Sequence, residues 1–301
     1  MLYKVHINDW ETAVSVLKII NMKNPLWAFR GQADSDWGLK TKFEREGEQN
    51  NLDPYFYSVC ESNVITGFKR QAGQYIQNLP APNNTLDWLA IIQHYGGPTR
   101  LLDFTYSFYV ATFFAIQHAS SDSAVWALDI NYLLKKDNEF KSQRGEISYQ
   151  DMIKQYGERL NESINFKPSE KADESVCIVE PFIQEKRLSI QQGLFFAPTN
   201  IEKSFQKNLA KTINKTSDDF LDENLTEITI DQLKTLKGAD LFLLKVVFSK
   251  DVKYEVIDQL RNMNISDATL FPGIDGFTRS LSCAFHEMKW VTTKPIEKNK
   301  K

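Results

Sequence analysis

Apolar residues along the N-terminal half alternate between helical and strand-like spacing. Trp10, Val14, Leu17 and Ile20 recur every three to four residues behind Asn8 and Asp9, so Asn8 to Ile20 reads as a short helix, broken at Pro25. Leu26 to Phe29 is a short apolar run ending in Arg30-Gly31, the pattern of a strand that delivers its last side chains to a turn. Tyr55 to Ile76 mixes aromatic and aliphatic residues without alternation or proline and reads as helical. Asn84-Thr85 can cap a helix running through Trp88, Leu89, Ile91 and Ile92 to His94, which Gly96-Gly97-Pro98 stops. Thr99 to Asp103 is then a loop or short strand, Ser107 to Gln117 a small and aromatic helix, and Ala124 to Ile130 a strand.

From Asn131 to Ser175 the pattern turns polar and charged, which predicts an insertion of loops and surface helix and the mobile part of the chain. Core-like runs return at Val176 to Phe182, Gly193 to Phe196 and Leu241 to Phe248, with the polar stretch Asn200 to Lys237 before the last. Helices and strands in this succession predict an α/β (α+β mixed) fold, a central mixed sheet flanked by helices. The expected organisation is one domain over residues 1–290. It carries a polar insertion at about 131–175, a helical and polar excursion at about 200–237, and a charged tail at 291–301.

Composition narrows the chemistry. A net charge of -3 and a pI near 5.9 provide no general attraction to nucleic acid or to an anionic membrane, so neither is expected as a partner. Cys60, Cys177 and Cys283 are widely spaced and odd in number, which reads as three reduced, mostly buried thiols. The N-terminus has no apolar h-region behind a basic start, and no stretch of 18 apolar residues occurs, so the expected compartment is the cytoplasm. His6, His94, His118 and His286 show no HxxxH spacing and no CxxC occurs, so no metal is expected. His286-Glu287 reads as a helix-end cap. Phosphate-loop, dinucleotide and G-x-S-x-G motifs are missing, and carboxylates are too scattered for a magnesium nuclease.

Two segments concentrate the remaining candidates. In Phe29-Arg30-Gly31-Gln32 an arginine stands beside a glycine that lets backbone or ligand approach, which suits a phosphate or carboxylate bound by the guanidinium fork. The structural alternative is an ion pair from Arg30 to Asp34 or Asp36. The second segment, Gln93 to Thr105, compresses His94, Arg100, Asp103 and two hydroxyls into one loop. There the alternative is a loop pinned by an Arg100–Asp103 pair, with His94 at the helix C-terminus, where its charged form is favoured. Lys203, Lys207, Lys211 and Lys215 form a stripe, either a solvated face or a phosphate contact, which the acidic run from Asp218 to Asp231 could neutralise.

FRGQ followed by QHYGGPTRLLDFT and an alanine- and aromatic-rich helix resembles the FRG domain family. RLSIQQGLF at Arg187 to Phe195 looks like that family's later element, and TLFPGIDGF at Thr269 to Phe277 its C-terminal signature. The resemblance implies a site formed by Arg30, His94, Arg100, Asp103 and Gln191, in a bacterial or phage protein of antiviral defence or toxin-like systems. A second resemblance, to ADP-ribosyltransferases, rests on Phe29-Arg30-Gly31 followed by Phe104-Thr105-Tyr106-Ser107 and a helix. It implies an ADP-ribosyltransferase-like fold with NAD as cofactor. On it, Arg30 would hold a phosphate or the nicotinamide side of NAD, and Thr105 or Ser107 would position the ribose. The two resemblances together set the expected catalytic residues as Arg30, His94, Asp103 and Gln191, and the ligand-binding ones as Gly31, Gln32, Arg100, Thr105 and Ser107. The chain departs from that second pattern where a late glutamate is expected. Gln191 and Gln192 stand there, and the nearest carboxylates are Glu180 and Glu185. The expected function is thus an effector that uses a nucleotide such as NAD, as transferase or glycohydrolase, on a macromolecular acceptor. The alternative is a non-catalytic module that senses a nucleotide, a phage component or a partner protein.

Overall fold

Eight strands among the described residues form one mixed sheet, β1 (Leu2–Ile7), β2 (Trp27–Gln32), β3 (Leu102–Thr105), β4 (Ser123–Asp129), β5 (Val176–Val179), β6 (Gly193–Pro198), β7 (Thr226–Glu227) and β8 (Leu243–Phe248). The computed structural model describes residues 2–137, 148–164, 173–181 and 186–282. The strand order is β5-β6-β3-β2-β4-β8-β1-β7. β1 runs parallel to β7 and β8, and the other pairings are antiparallel.

Thirteen helices surround it among the described residues: α1 (Trp10–Lys23), α2 (Lys42–Gln49), α3 (Tyr57–Gln71), α4 (Thr85–His94), α5 (Phe108–Ile116), α6 (Ile130–Lys136), α7 (Tyr149–Ile164), α8 (Lys186–Ile190), α9 (Phe205–Thr212), α10 (Ile230–Thr235), α11 (Lys253–Asn262), α12 (Asp267–Leu270) and α13 (Ile274–Ser280). Because side chains alternate across a strand, the central strands feed two cores. Phe29, Val125, Ala127, Leu244 and Val246 pack with α1, α5 and α11. Ala28, Trp126, Leu128 and Leu243 pack on the other face with α4, α7 and α9.

The cap read at Asn84 is in place: its side chain accepts from Asp87 N at the start of α4. Ser107, not read as a cap from the sequence, does the same for Val110 N at the start of α5. Two expectations change, and one strand was not read from the sequence. The β2 strand does not turn at Arg30-Gly31 but runs on to Gln32, because β4 pairs with it throughout, Arg30 opposite Trp126 and Gln32 opposite Ala124. The unread strand is Leu2–Ile7, in which buried Tyr3, Val5 and Ile7 alternate with Lys4 and His6 and which pairs along its length with its parallel partner β8. The segment 131–175 is not merely surface: Leu133, Tyr156 and Leu160 are fully buried in the core. Phe182, Glu185, Cys283, His286-Glu287 and the tail at 291–301 lie outside the described residues. Cys177 is buried, as expected, while Cys60 is half-buried, and both are free thiols.

Candidate functional site

The ladder between β2 and β3 consists of one pair, Phe29 opposite Thr105. Extending that register would set Gly31 against Asp103, but the strands stop pairing there, and a cleft of about 910 Å³ is lined by both. Arg30 spans the gap. Its Nη1 donates to the Asp103 carbonyl at 2.8 Å and lies 3.9 Å from Asp103 Oδ2. The side chain is only 16% exposed, and its Nε is buried without a hydrogen-bond partner among the described residues. Burial holds the guanidinium below its ordinary pKa; Asp103 opposes that effect and the like charge of Arg45 adds to it. The expected alternative partners Asp34 and Asp36 are not used; the partner is Asp103.

Gly31 is needed for packing. A Cβ there would lie 2.0 Å from the Ala111 carbonyl oxygen and 2.6 Å from Ala115 N, so the close approach is made by α5. Gln32 lies on the same side of β2 as Arg30 and is buried. Its amide is committed to the fold: Nε2 donates to the Gly38 carbonyl at 2.9 Å and Oε1 accepts from Trp126 Nε1 at 2.7 Å.

His94, Asp103, Thr105 and Gln191 line the same cleft. Thr105 Oγ1 donates to the Gln191 carbonyl at 2.6 Å, and Gln191 Nε2 donates to the Leu270 carbonyl at 3.0 Å. Asp103 is 58% exposed toward the opening, and its Oδ2 accepts from Gln93 Nε2 at 2.7 Å. Gln93 Oε1 in turn accepts from Thr99 Oγ1 at 2.5 Å, a chain of contacts that fixes the carboxylate. His94 stacks edge-to-face on Tyr95 at 4.9 Å.

Two expected ligand-binding residues are elsewhere. Arg100 is 1% exposed and forms a fork with Glu61, itself 2% exposed; Arg100 Nε donates to Glu61 Oε1 at 2.7 Å and Nη2 to Oε2. Its Nη1 donates to Ser163 Oγ and to the Pro198 and Thr199 carbonyls, so the residue staples three parts of the core and does not reach the cleft. The expected Arg100–Asp103 pair is therefore not formed. Ser107 is spent as the N-cap of α5 and does not line the cleft. Glu180 is held by Tyr106 and Tyr149 outside the cleft lining. Part of the acidic run pairs away from the lysine stripe, Asp222 with Lys4 and Lys245 and Asp231 with Lys234, while Asp219 stays near enough to Lys215 for that charge to help lower its carboxyl pKa.

Sequence reasoning missed several lining residues. Arg45 and Glu48 come from α2, whose start is signalled by the Thr41-x-x-Glu44 capping box. Glu48 is paired with Lys40 at 2.8 Å. Arg187 comes from α8 and lies 4.4 Å from the centroid of the Phe271 ring, with Arg279 on the same ring at 4.1 Å. Burial holds Arg187 below its ordinary pKa, with Asp103 opposing and Arg279 adding to the shift. The cleft thus presents three arginines from separate elements and the carboxylates of Asp36, Glu48 and Asp103.

Among the described residues no group of three or more histidine, cysteine, aspartate or glutamate side chains is placed to hold a metal ion. No described helix is long and apolar enough to cross a membrane. No curated protein and no solved structure matches the chain. Residues 25–124 match the family model of the FRG domain, a span that holds both early motifs and ends before Arg187 to Phe195 and Thr269 to Phe277. The splayed β2–β3 edge with Arg30, Gln32, His94 and Asp103 therefore falls within the span, residues 25–124, that matches the FRG domain.

Proposed function

We propose that the cleft binds a nucleotide such as NAD and that the protein acts on it in the manner of an ADP-ribosyltransferase or NAD glycohydrolase, as a toxin-type or antiviral defence effector in the cytoplasm. The observation that carries this reading is the convergence of Arg30, Arg45 and Arg187 with the carboxylate of Asp103 on one 910 Å³ cleft. That volume lies in the range of small-molecule and cofactor sites. Guanidinium groups suit phosphate, and a poorly solvated arginine such as Arg30 gains most from an incoming anion. Breaking the bond between nicotinamide and ribose develops positive charge on the sugar, which a nearby carboxylate stabilises. Asp103, fixed by Gln93, is the group suited to that role in place of the late glutamate. Nicotinamide leaves with the bonding pair as the oxygen of water or of a macromolecular acceptor attacks the ribose carbon. The proton of that oxygen passes to solvent or to His94.

A second reading, a binding or sensor module without turnover, is favoured by one observation: Gln191 and Gln192 hold the entry to β6 where a catalytic glutamate would stand. Mass spectrometry of NAD incubated with the purified protein and cell lysate separates the two. Nicotinamide release that Arg30→Ala abolishes supports the enzyme. Intact NAD together with an Arg30-dependent rise in melting temperature supports the sensor. Intact NAD with no thermal shift refutes NAD as the ligand in both readings and leaves only a sensor of another partner.

A further inference from the structure

Arg30 accounts for an anion but not for the rest of a nucleotide. Five aromatic side chains line the cleft: Phe29, Trp37, Phe104, Phe114 and Phe195. Phe29, Phe104 and Phe195 are 2%, 4% and 4% exposed and belong to the core, and Phe114 packs edge-to-face on Phe271. Trp37 differs, being 57% exposed on the loop that connects β2 to α2. An indole left half in water at the edge of a cleft has an unused apolar face.

The loop that carries it is held before and after Trp37 along the chain. Trp37 N donates to the Asp34 carbonyl at 3.4 Å, Asp36 N to Asp34 Oδ1 at 2.8 Å, and Ser35 N to the Asp122 carbonyl at 2.8 Å. Immediately after Trp37, the Gly38 carbonyl takes the hydrogen bond from Gln32 Nε2, and a Cβ at Gly38 would come within 3.3 Å of the Gln206 side chain. Gln32 is itself fixed by Trp126, over whose ring Lys245 lies at 4.9 Å. Alternation along β2 therefore gives the two polar residues of one strand face separate tasks. Arg30 faces the anion site, and Gln32 anchors the loop that presents Trp37.

Resting on the nucleotide reading above, we propose that Trp37 is the base-stacking platform of the cleft and that Gln32 is the positioning residue that holds it. The ligand class is then a nucleotide with an intact heterocyclic base, discriminated from sugar phosphates and inorganic phosphates by stacking on the indole. An aromatic face already held in place avoids the ordering loss that a mobile ring would incur on binding.

Calorimetric titration of the full chain with ADP, NAD, ribose 5-phosphate and inorganic pyrophosphate tests this. Trp37→Ala is expected to weaken ADP and NAD by about 5- to 100-fold, the range of base–aromatic stacking, and to leave pyrophosphate within about twofold. Trp37→Phe restores most of the affinity. Quenching of the fluorescence that distinguishes the parent from Trp37→Phe should accompany ADP but not pyrophosphate. ADP binding unchanged in Trp37→Ala but lost in Arg30→Ala overturns the platform while leaving the nucleotide reading intact. An equal loss of ADP and pyrophosphate in Trp37→Ala also overturns it, since a ring that only supports the cleft would act that way. Failure of the parent protein to bind any of the four ligands overturns the nucleotide reading and the platform together.

Discussion

Replacing Arg100 by methionine tests whether the most densely bonded charge in the second motif serves stability. The side chain is 1% exposed and Glu61 is 2% exposed, so the substitution leaves a carboxylate in the core without its counter-ion. Breaking a buried pair from one side costs about 3–5 kcal/mol. The Ser163 hydroxyl and the Pro198 and Thr199 carbonyls also lose a donor, each loss adding roughly 1 kcal/mol where water cannot replace it. At about 2–4 °C per kcal/mol for a chain of this class, the melting temperature should fall on the order of 10 °C or more. Urea unfolding followed by circular dichroism measures the loss, and Glu61→Leu combined with Arg100→Met should recover part of it by removing the stranded charge. A single variant that melts within about 2 °C of the parent, or a double variant no more stable than the single one, would refute the staple. Arg30→Ala offers the contrast: it removes one hydrogen bond to a carbonyl, worth about 1 kcal/mol, and a 3.9 Å contact to the half-exposed Asp103 carboxylate, and should act mainly on ligand binding.

Gly31→Ala should prevent β2 and α5 from closing, because the new methyl would meet backbone at 2.0 and 2.6 Å; low soluble yield or a loss of several kcal/mol in unfolding experiments is expected, and parental stability would contradict the close approach. Ser107→Ala should cost about 1 kcal/mol through the lost N-cap while leaving ligand affinity unchanged in the calorimetric titration. Asp129 is buried at the N-cap of α6, and burial pushes its carboxyl up to about 6 from an ordinary 3.8. The native state then holds this proton where the unfolded chain has lost it, so this group's contribution to stability falls as pH rises between those values and stays low above pH 6. Asp129→Asn, which keeps an N-cap oxygen, should flatten that slope and be more stable at neutral pH by at most about 3 kcal/mol, as read from unfolding curves at several pH values.

The sequence by itself determined the alternation of elements, the cap at Asn84, the mixed sheet and the two segments around which the cleft forms. These depend on local rules: helical spacing, capping side chains and the breaks imposed by glycine and proline. It also marked Arg30, His94, Asp103 and Gln191, which the fold gathers around one cavity although Gln191 is far away along the chain. Roles within those segments were decided by partners that local pattern does not reveal. Arg100 and Asp103 stand three residues apart, yet Glu61 on α3 draws the first into the core, while the end of the β2–β3 ladder leaves the second at the opening. Gly31 and Gln32 look like ligand contacts beside Arg30, but α5 presses against the one and Trp126 and Gly38 occupy the other. Arg45 follows a legible capping box and Arg187 opens the RLSIQQGLF run, yet neither signal says which way the side chain faces, and only the tertiary structure turns them and Trp37 toward the same space. Burial and charge pairing are set by neighbours distant in sequence, and only the assembled sheet brings those neighbours together.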